Sequence, residues 1–282
     1  MEGTVSMIRS AAAKDALAAL AGLADLSGDL TAIMQESLTP RVTSNRLVQV
    51  LLIVALSPGI SPAAVADRMG SSRSLVAQLL RRLIAEDLVL KVAAEEDHRF
   101  ALLLLTDRGT ERVEDLERAL TEYFACHRDA VGAILSLLGV DPHEAVAATG
   151  SMLGATAAIA GAASGYVRAA TQVFSHVGLG SEARLALTMI AGEGPQQPTD
   201  LARRLRVTSG AVSGIVDRLV ATRLARRNLE PGLADGRAVL VELTQAGQAM
   251  AAELAAALEP HATAIGEALR SACAVGTRVP AN

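Results

Sequence analysis

The chain has 282 residues, a formal net charge of −4 and a 51% hydrophobic content, enough to bury a substantial core. Only 2% of it is aromatic and tryptophan is absent, so Ala, Leu, Val and Ile must build that core, which favours packed helices over a β-sandwich. The acidic balance gives no whole-chain argument for nucleic acid, and two cysteines, Cys126 and Cys273, exclude a disulfide framework or a cysteine-based zinc site.

The N-terminal run MEGTVSMIRSAAAKDAL lacks the uninterrupted apolar stretch of a signal peptide, and a reducing, cytoplasmic setting is expected. A helix is expected over roughly 10 to 37. Beyond it, Ser61-Pro62 marks a helix start, with a serine N-cap and a proline in the first turn, where its missing N–H is harmless. The sequence then repeats itself. AVADRMGSSRSLVAQLLRRLIAEDLVL (64–90) lies without a gap over DLARRLRVTSGAVSGIVDRLVATRLAR (200–226), matching Ala66 with Ala202, Arg82-Leu83 with Arg218-Leu219, and Leu88 with Leu224. Two residues further out of register, DHRFALLLLTDRG (97–109) lies over DGRAVLVELTQAG (235–247). Two units of like fold follow, over 1–140 and 141–282, with heads at about 44–106 and 181–244.

Each head reads as two short helices joined by a tight turn, then two strands. LVLKVAA and RFALLLL flank a short EED tip in the first copy; LARRNL and RAVLVEL flank EPGLADG in the second. A helix-turn-helix followed by a β-hairpin is a winged helix. Long helices are expected after each wing, starting at Thr106 and Thr244 and covering about 107 to 138 and 245 to 271, with another over 144 to 177. This last contains 23 uncharged residues between Glu144 and Arg168, with small residues four apart. Its Ala, Gly, Ser and Thr content reads as a buried helix packed close to its neighbours, with a membrane span as the weaker alternative.

The second head's inner helix, VTSGAVSGIVDRLV, has two glycines, each disfavoured in a helix by about 1 kcal/mol relative to alanine. Thr208 caps it, Val212, Ile215, Val216 and Leu219 form its apolar face, and Ser209, Gly210, Ser213, Gly214 and Asp217, with Arg218 at the flank, the opposite one. Small groove-facing residues let a helix enter the DNA major groove, about 12 Å wide, while the hydroxyls bond phosphates or base edges. The alternative, that the glycines relieve crowding against another helix, stays open at this point. Between 199 and 227 seven arginines face two aspartates; between 61 and 91 five cations face three carboxylates. A solvated helix face would also be charged, so this count gains force only where it coincides with the motif.

The run LARRLRVTSGAVSGIVDRLVATRLARR with the wing DGRAVLVELTQAG is similar to the MarR (multiple antibiotic resistance regulator) family of transcription factors. The likeness rests on the L-A-x-x-L helix, the V-D-R-L helix and the Asp-x-Arg wing with its Leu-Thr-x-x-Gly ending. The first copy fits more loosely, with Arg81 where Asp217 stands. The resemblance implies a mainly α fold with two small β-hairpin wings: a tandem winged helix-turn-helix acting as a pseudo-twofold intramolecular dimer. It also implies a repressor that binds double-stranded DNA as a monomer, or else as a homodimer. The expected DNA-binding residues are Ser72, Arg73, Ser74, Gln78, Arg82 and Arg99 in the first head, and Thr208, Ser209, Gly210, Ser213, Arg218 and Arg237 in the second. Asp97 and Asp235 would orient the wing arginines. A small lipophilic or phenolic effector is a further implication, with Tyr123, Phe124, His127, Tyr166 and Phe174 as either pocket or ordinary core residues. Both cysteines read as inert. No enzyme motif, cofactor or metal spacing occurs, and no membrane partner is expected. The competing reading is a winged-helix interaction protein, a co-regulator or antirepressor without DNA binding.

Overall fold

The computed structural model describes residues 2–38, 41–42, 44–93, 101–144, 150–230 and 238–277, with side chains from residue 13 onward, apart from those of 45, 229, 230 and 238. Helix α1 covers Glu2–Ser37. The first head follows as α2 (Asn45–Leu56), α3 (Pro62–Met69), α4 (Arg73–Ala85), β1 (Val89–Ala93) and β2 (Ala101–Leu105). Then come α5 (Asp107–Cys126), α6 (Arg128–Leu137) and α7 (Met152–Val173). The second head is α8 (Ser181–Glu193), α9 (Pro198–Arg204), α10 (Ser209–Ala221), β3 (Ala225–Glu230) and β4 (Ala238–Leu243), and α11 covers Gln245–Gly276.

The described residues fall into two compact units, each drawing on three segments. One comprises Asp29–Arg128, Ala145–Gly161 and Ala268–Asn282 and holds the first head. The other comprises Met1–Gly28, Asp129–Glu144 and Ala162–Glu267 and holds the second. Each head is therefore contiguous in sequence, while its supporting helices come from both ends of the chain.

Within the units the repeat extends to fine detail. α4 and α10 occupy equivalent residues, and each starts on a hydroxyl N-cap: Ser72 Oγ accepts from Leu75 N at 3.2 Å, and Thr208 Oγ1 from Ala211 N at 3.2 Å. Both hairpins are antiparallel, pairing Lys91 with Leu103 and Arg227 with Val241. Each gains a bridge from the loop before the head's middle helix, Ile60 to Leu103 and Gln196 to Val241. The turn between the two head helices uses a left-handed residue in both copies, Gly70 (φ 56°) and Arg206 (φ 55°). Only the first has the residue type for which that conformation is unstrained.

The joint between wing and long helix is equally conserved between copies. Thr106 and Thr244 cap α5 and α11 and donate their hydroxyls to the carbonyls of Asp87 and Arg223, both at 2.6 Å. Directly behind them the helices press so close to the Leu88 and Leu224 carbonyls that Gly109 and Gly247 have no room for a side chain.

Three expectations change. The helix expected over 107–138 breaks at His127 (φ −105°, ψ 21°), with no proline or glycine to announce it. α7 is buried only near its start, at Met152, Leu153, Ala155 and Thr156, and is otherwise half-exposed. Of its spaced glycines, Gly165 makes a close approach to His261, where a Cβ would lie 2.8 Å from Nδ1, while nothing lies within 4 Å of one at Gly161. Among the described residues one helix, Ala13–Ser37, is long and apolar enough to cross a membrane by length and composition. Its mid-span carboxylates Asp25 and Asp29 are held by Arg204 and by the Tyr123 hydroxyl, each within its own unit, rather than facing an apolar solvent.

Candidate nucleic-acid interface

In the second head, Val212, Val216 and Leu219 bury one face of α10 against its neighbours, with Ile215 at the margin. The opposite face is open: Thr208, Ser209, Gly210, Ser213, Gly214, Asp217 and Arg218 are all exposed. A Cβ built at Gly214 meets nothing within 4 Å, and one at Gly210 meets only the capping Thr208 oxygen at 4.0 Å. Helix crowding therefore does not explain these glycines. Beside this face a concavity of about 300 Å³ is lined by Thr199, Ser209, Ser213 and Arg227 over an apolar floor that includes Val212 and Val216. The Ser209 and Ser213 hydroxyls stand at the rim of this hollow at the edge of the helix, while Arg227 is turned to Asp217.

In the first head, Val76, Leu79, Leu80 and Leu83 bury the inner face of α4, and Ser72, Arg73, Ser74, Gln78 and Arg82 are exposed on the other. Each head thus brings its expected helix residues together on one open surface. Thr208 and Ser72 also serve as caps, which uses an oxygen lone pair and leaves the hydroxyl proton to donate outward. Asp97, Arg99, Asp235 and Arg237, expected in the wings, lie outside the described residues.

The arginine count needs correction. Arg204, one of the seven cations of the second head, points away from the open face. Its side chain is 16% exposed, and it forms a two-bond fork to Asp25 (3.1 and 2.7 Å) and a bond to Glu193 at 2.5 Å. Burial disfavours its charge, but the bonds to Asp25 and then to Glu193 outweigh that and raise its pKa. Arg203 pairs with Asp200, Arg226 with Glu242 across the wing, and Arg227 with Asp217 at 2.6 Å. The Asp217–Arg227 bond ties the recognition helix to the wing root, and sequence reasoning missed it. Its signal was the charge complementarity of two positions ten residues apart, which only the fold brings together.

The residues named for an effector are divided between the two units. Tyr123 stacks on His127 (4.1 Å) and donates to Asp29 at 2.8 Å, with Phe124 fully buried beside it, all in the first-head unit. Tyr166 and Phe174 belong to the second-head unit, where burial pushes the Tyr166 phenol up to about 12 and Arg184 covers the Phe174 ring at 5.1 Å. Cys126 is exposed; Cys273, which lies within α11 rather than in a tail, is buried, and burial pushes its thiol up to about 11.

The model of the MarR family matches two separate regions, residues 44–99 and 177–238, which coincide with the two heads. Two MarR-like units are thus present in the chain. Among solved structures, a DNA-bound mutant of S. aureus MepR is 21% identical over 35% of this chain and 72% of its own, with a TM-score of 0.31. PcaV from Streptomyces coelicolor, solved with its natural ligand, is 24% identical over 39% and 73%, at 0.30. The repressor CouR on a 23-mer DNA duplex is 23% identical over 40% and 84%, at 0.32. No curated protein matches the chain. The helix-turn-helix and hairpin of each matched region stand as described above, with the outward face of α4 and of α10 exposed.

Proposed function

We propose that this MarR-type chain is a DNA-binding transcriptional regulator, acting as a repressor, that uses both recognition helices and both wings on one duplex site. The observation that carries this reading is the pair of recognition helices, α4 and α10, each with an exposed face of small, polar and cationic residues. On α10 the glycines face open space rather than a packing partner. Ser72, Arg73, Ser74, Gln78 and Arg82 would enter the groove from one head, and Thr208, Ser209, Gly210, Ser213 and Arg218 from the other. Arg99 and Arg237 would reach the minor groove, steadied by Asp97 and Asp235.

The repeating sequence units are 1–140 and 141–282, and one chain does the work of the usual dimer. Its half-sites would lie about 34–36 Å apart and need not be identical. The protein is cytoplasmic, has no catalytic activity, and is released from DNA by a small lipophilic or phenolic effector. The interaction-protein reading is less favoured, because a partner-binding winged helix has no need of glycines on its outward face.

Fluorescence anisotropy with sheared genomic duplex tests the reading. Steeply salt-dependent binding supports it, and no binding at low salt overturns it. Native mass spectrometry of the complex should give one chain per site; two chains would refute the single-chain arrangement. Arg237→Ala should weaken binding several-fold without unfolding the chain, and unchanged affinity would remove the wing from the interface.

A further inference from the structure

The two heads differ at one place where everything around it repeats. Asp217 on α10 and Arg227 on β3 close on each other at 2.6 Å. The residues in the same register of the first head are Arg81 on α4 and Lys91 on β1, both exposed. α4 and α10 span equivalent residues, and Lys91 and Arg227 hold the same place in their hairpins, opposite the buried Leu103 and Val241. The first head thus presents two cations at the junction where the second presents an internally neutralised pair.

The pattern continues around this junction. Cross-strand neighbours Arg226 and Glu242 of the second wing form an ion pair at 2.7 Å; their counterparts in the first are Leu90 and Leu104. Arg204 is closed by Asp25 and Glu193, whereas its counterpart Arg68 is exposed and, among the described residues, bonds the neutral Ser57 hydroxyl at 2.6 Å. Of the second-head arginines, Arg203, Arg204, Arg226 and Arg227 are therefore each bound to a carboxylate. On the first head, Arg73, Arg81, Arg82 and Lys91 meet no carboxylate among the described residues.

Resting on the DNA-binding reading above, we infer that the first head, through Arg81 and Lys91 at its wing root, supplies the larger share of the grip on duplex phosphates. The second head binds with less charge and relies more on its hydroxyl-lined recognition face. This reverses the ranking that a bare count of basic residues gives. A cation already paired to a carboxylate releases few counterions when a phosphate arrives, whereas two adjacent unpaired cations gain from it fully. The inference concerns the wing roots only, since both wing tips lie outside the described residues.

Reciprocal substitutions test it on the full-length chain with a fluorescein-labelled mixed-sequence duplex. Arg81→Asp removes one cation and offers Lys91 a partner, recreating the second head's pair. The log–log salt slope should flatten by roughly 1.8, so that the affinity lost between about 50 and 200 mM salt shrinks about twelvefold. Asp217→Arg frees Arg227 and should steepen the slope by a similar amount. An unchanged slope in either variant, while the parent still binds, overturns the division between heads and leaves the DNA reading intact. No binding by the parent itself overturns the DNA reading instead. Should Arg81→Asp lose its far-UV circular dichroism, Lys91→Gln serves in its place: flattening by about 0.9 supports the inference, and an unaltered slope refutes it.

Discussion

Gly214 separates folding from function with one substitution. It sits in the interior of α10 (Ser209–Ala221), on the exposed face, and an added Cβ meets nothing within 4 Å. Alanine there removes the glycine's backbone entropy without a clash, so Gly214→Ala should stabilise the chain by about 0.8–1.0 kcal/mol. For a domain of 150–250 residues this raises Tm by roughly 2–4 °C. Gly214→Leu should retain most of that gain, since leucine is also a good helix former and has open space to occupy. The same side chain would, however, stand between the helix axis and the floor of the groove. Duplex affinity should fall at least tenfold, a loss of about 1.4 kcal/mol in binding set against a gain in folding. Thermal melts by circular dichroism and anisotropy titrations on the same preparations give both numbers. Lower Tm in both variants would mean that the glycine serves packing after all. Higher Tm with unaltered affinity for Gly214→Leu would refute the claim that this face enters DNA.

The joint behind each wing should respond in the opposite way. At Gly247 a Cβ would overlap the Leu224 carbonyl oxygen and lie 3.0 Å from its carbon, on a carbonyl that already accepts from Thr244 N at 3.0 Å. Gly247→Ala therefore forces two backbone segments apart, at about 3 kcal/mol, and Tm should fall by roughly 6–12 °C; a fall of less than a degree would refute the close approach. The cysteines should differ in reactivity: at pH 8 a thiol-specific chromogenic disulfide should label Cys126 promptly and Cys273 only on unfolding, and two fast equivalents would contradict the burial of Cys273. Because burial raises the Cys273 pKa, the neutral thiol is the form that the fold favours. Its contribution is complete below the ordinary value of 9.0 and is lost as pH rises toward about 11, so Cys273→Ser should flatten the alkaline loss of Tm over that window.

What the sequence revealed was local in origin. The hydroxyl caps at Ser61 and Thr208, the proline in the first turn of α3 and α9, and the strands of each hairpin are each decided within a few residues, and all stand where periodicity and cap chemistry put them. The repeat was legible for the same reason, since the two copies share these local signals in one register. The open face of α10 was legible too, because amphipathic spacing assigns the buried side and leaves the rest outward. What escaped were relations across long stretches of chain. Arg204 and Asp25 lie 179 residues apart, and no pattern in either neighbourhood pairs them. The break at His127 escaped as well, with no helix-breaking residue at the site.

The same limit applies to charge counting at the heads. Counting treats each arginine as available, yet a guanidinium in a protein is available to DNA only if no carboxylate has already matched its planar fork. The second head is richer in arginine, but it sits beside Asp25, Glu193, Asp217 and Glu242, and its cations bind elements to one another. The first head has fewer cations, and at Arg81 and Lys91 they stand where their counterparts are a closed pair. A tandem chain is free to divide its labour in this way, because its two heads are encoded separately, whereas a homodimer must place the same residue in both.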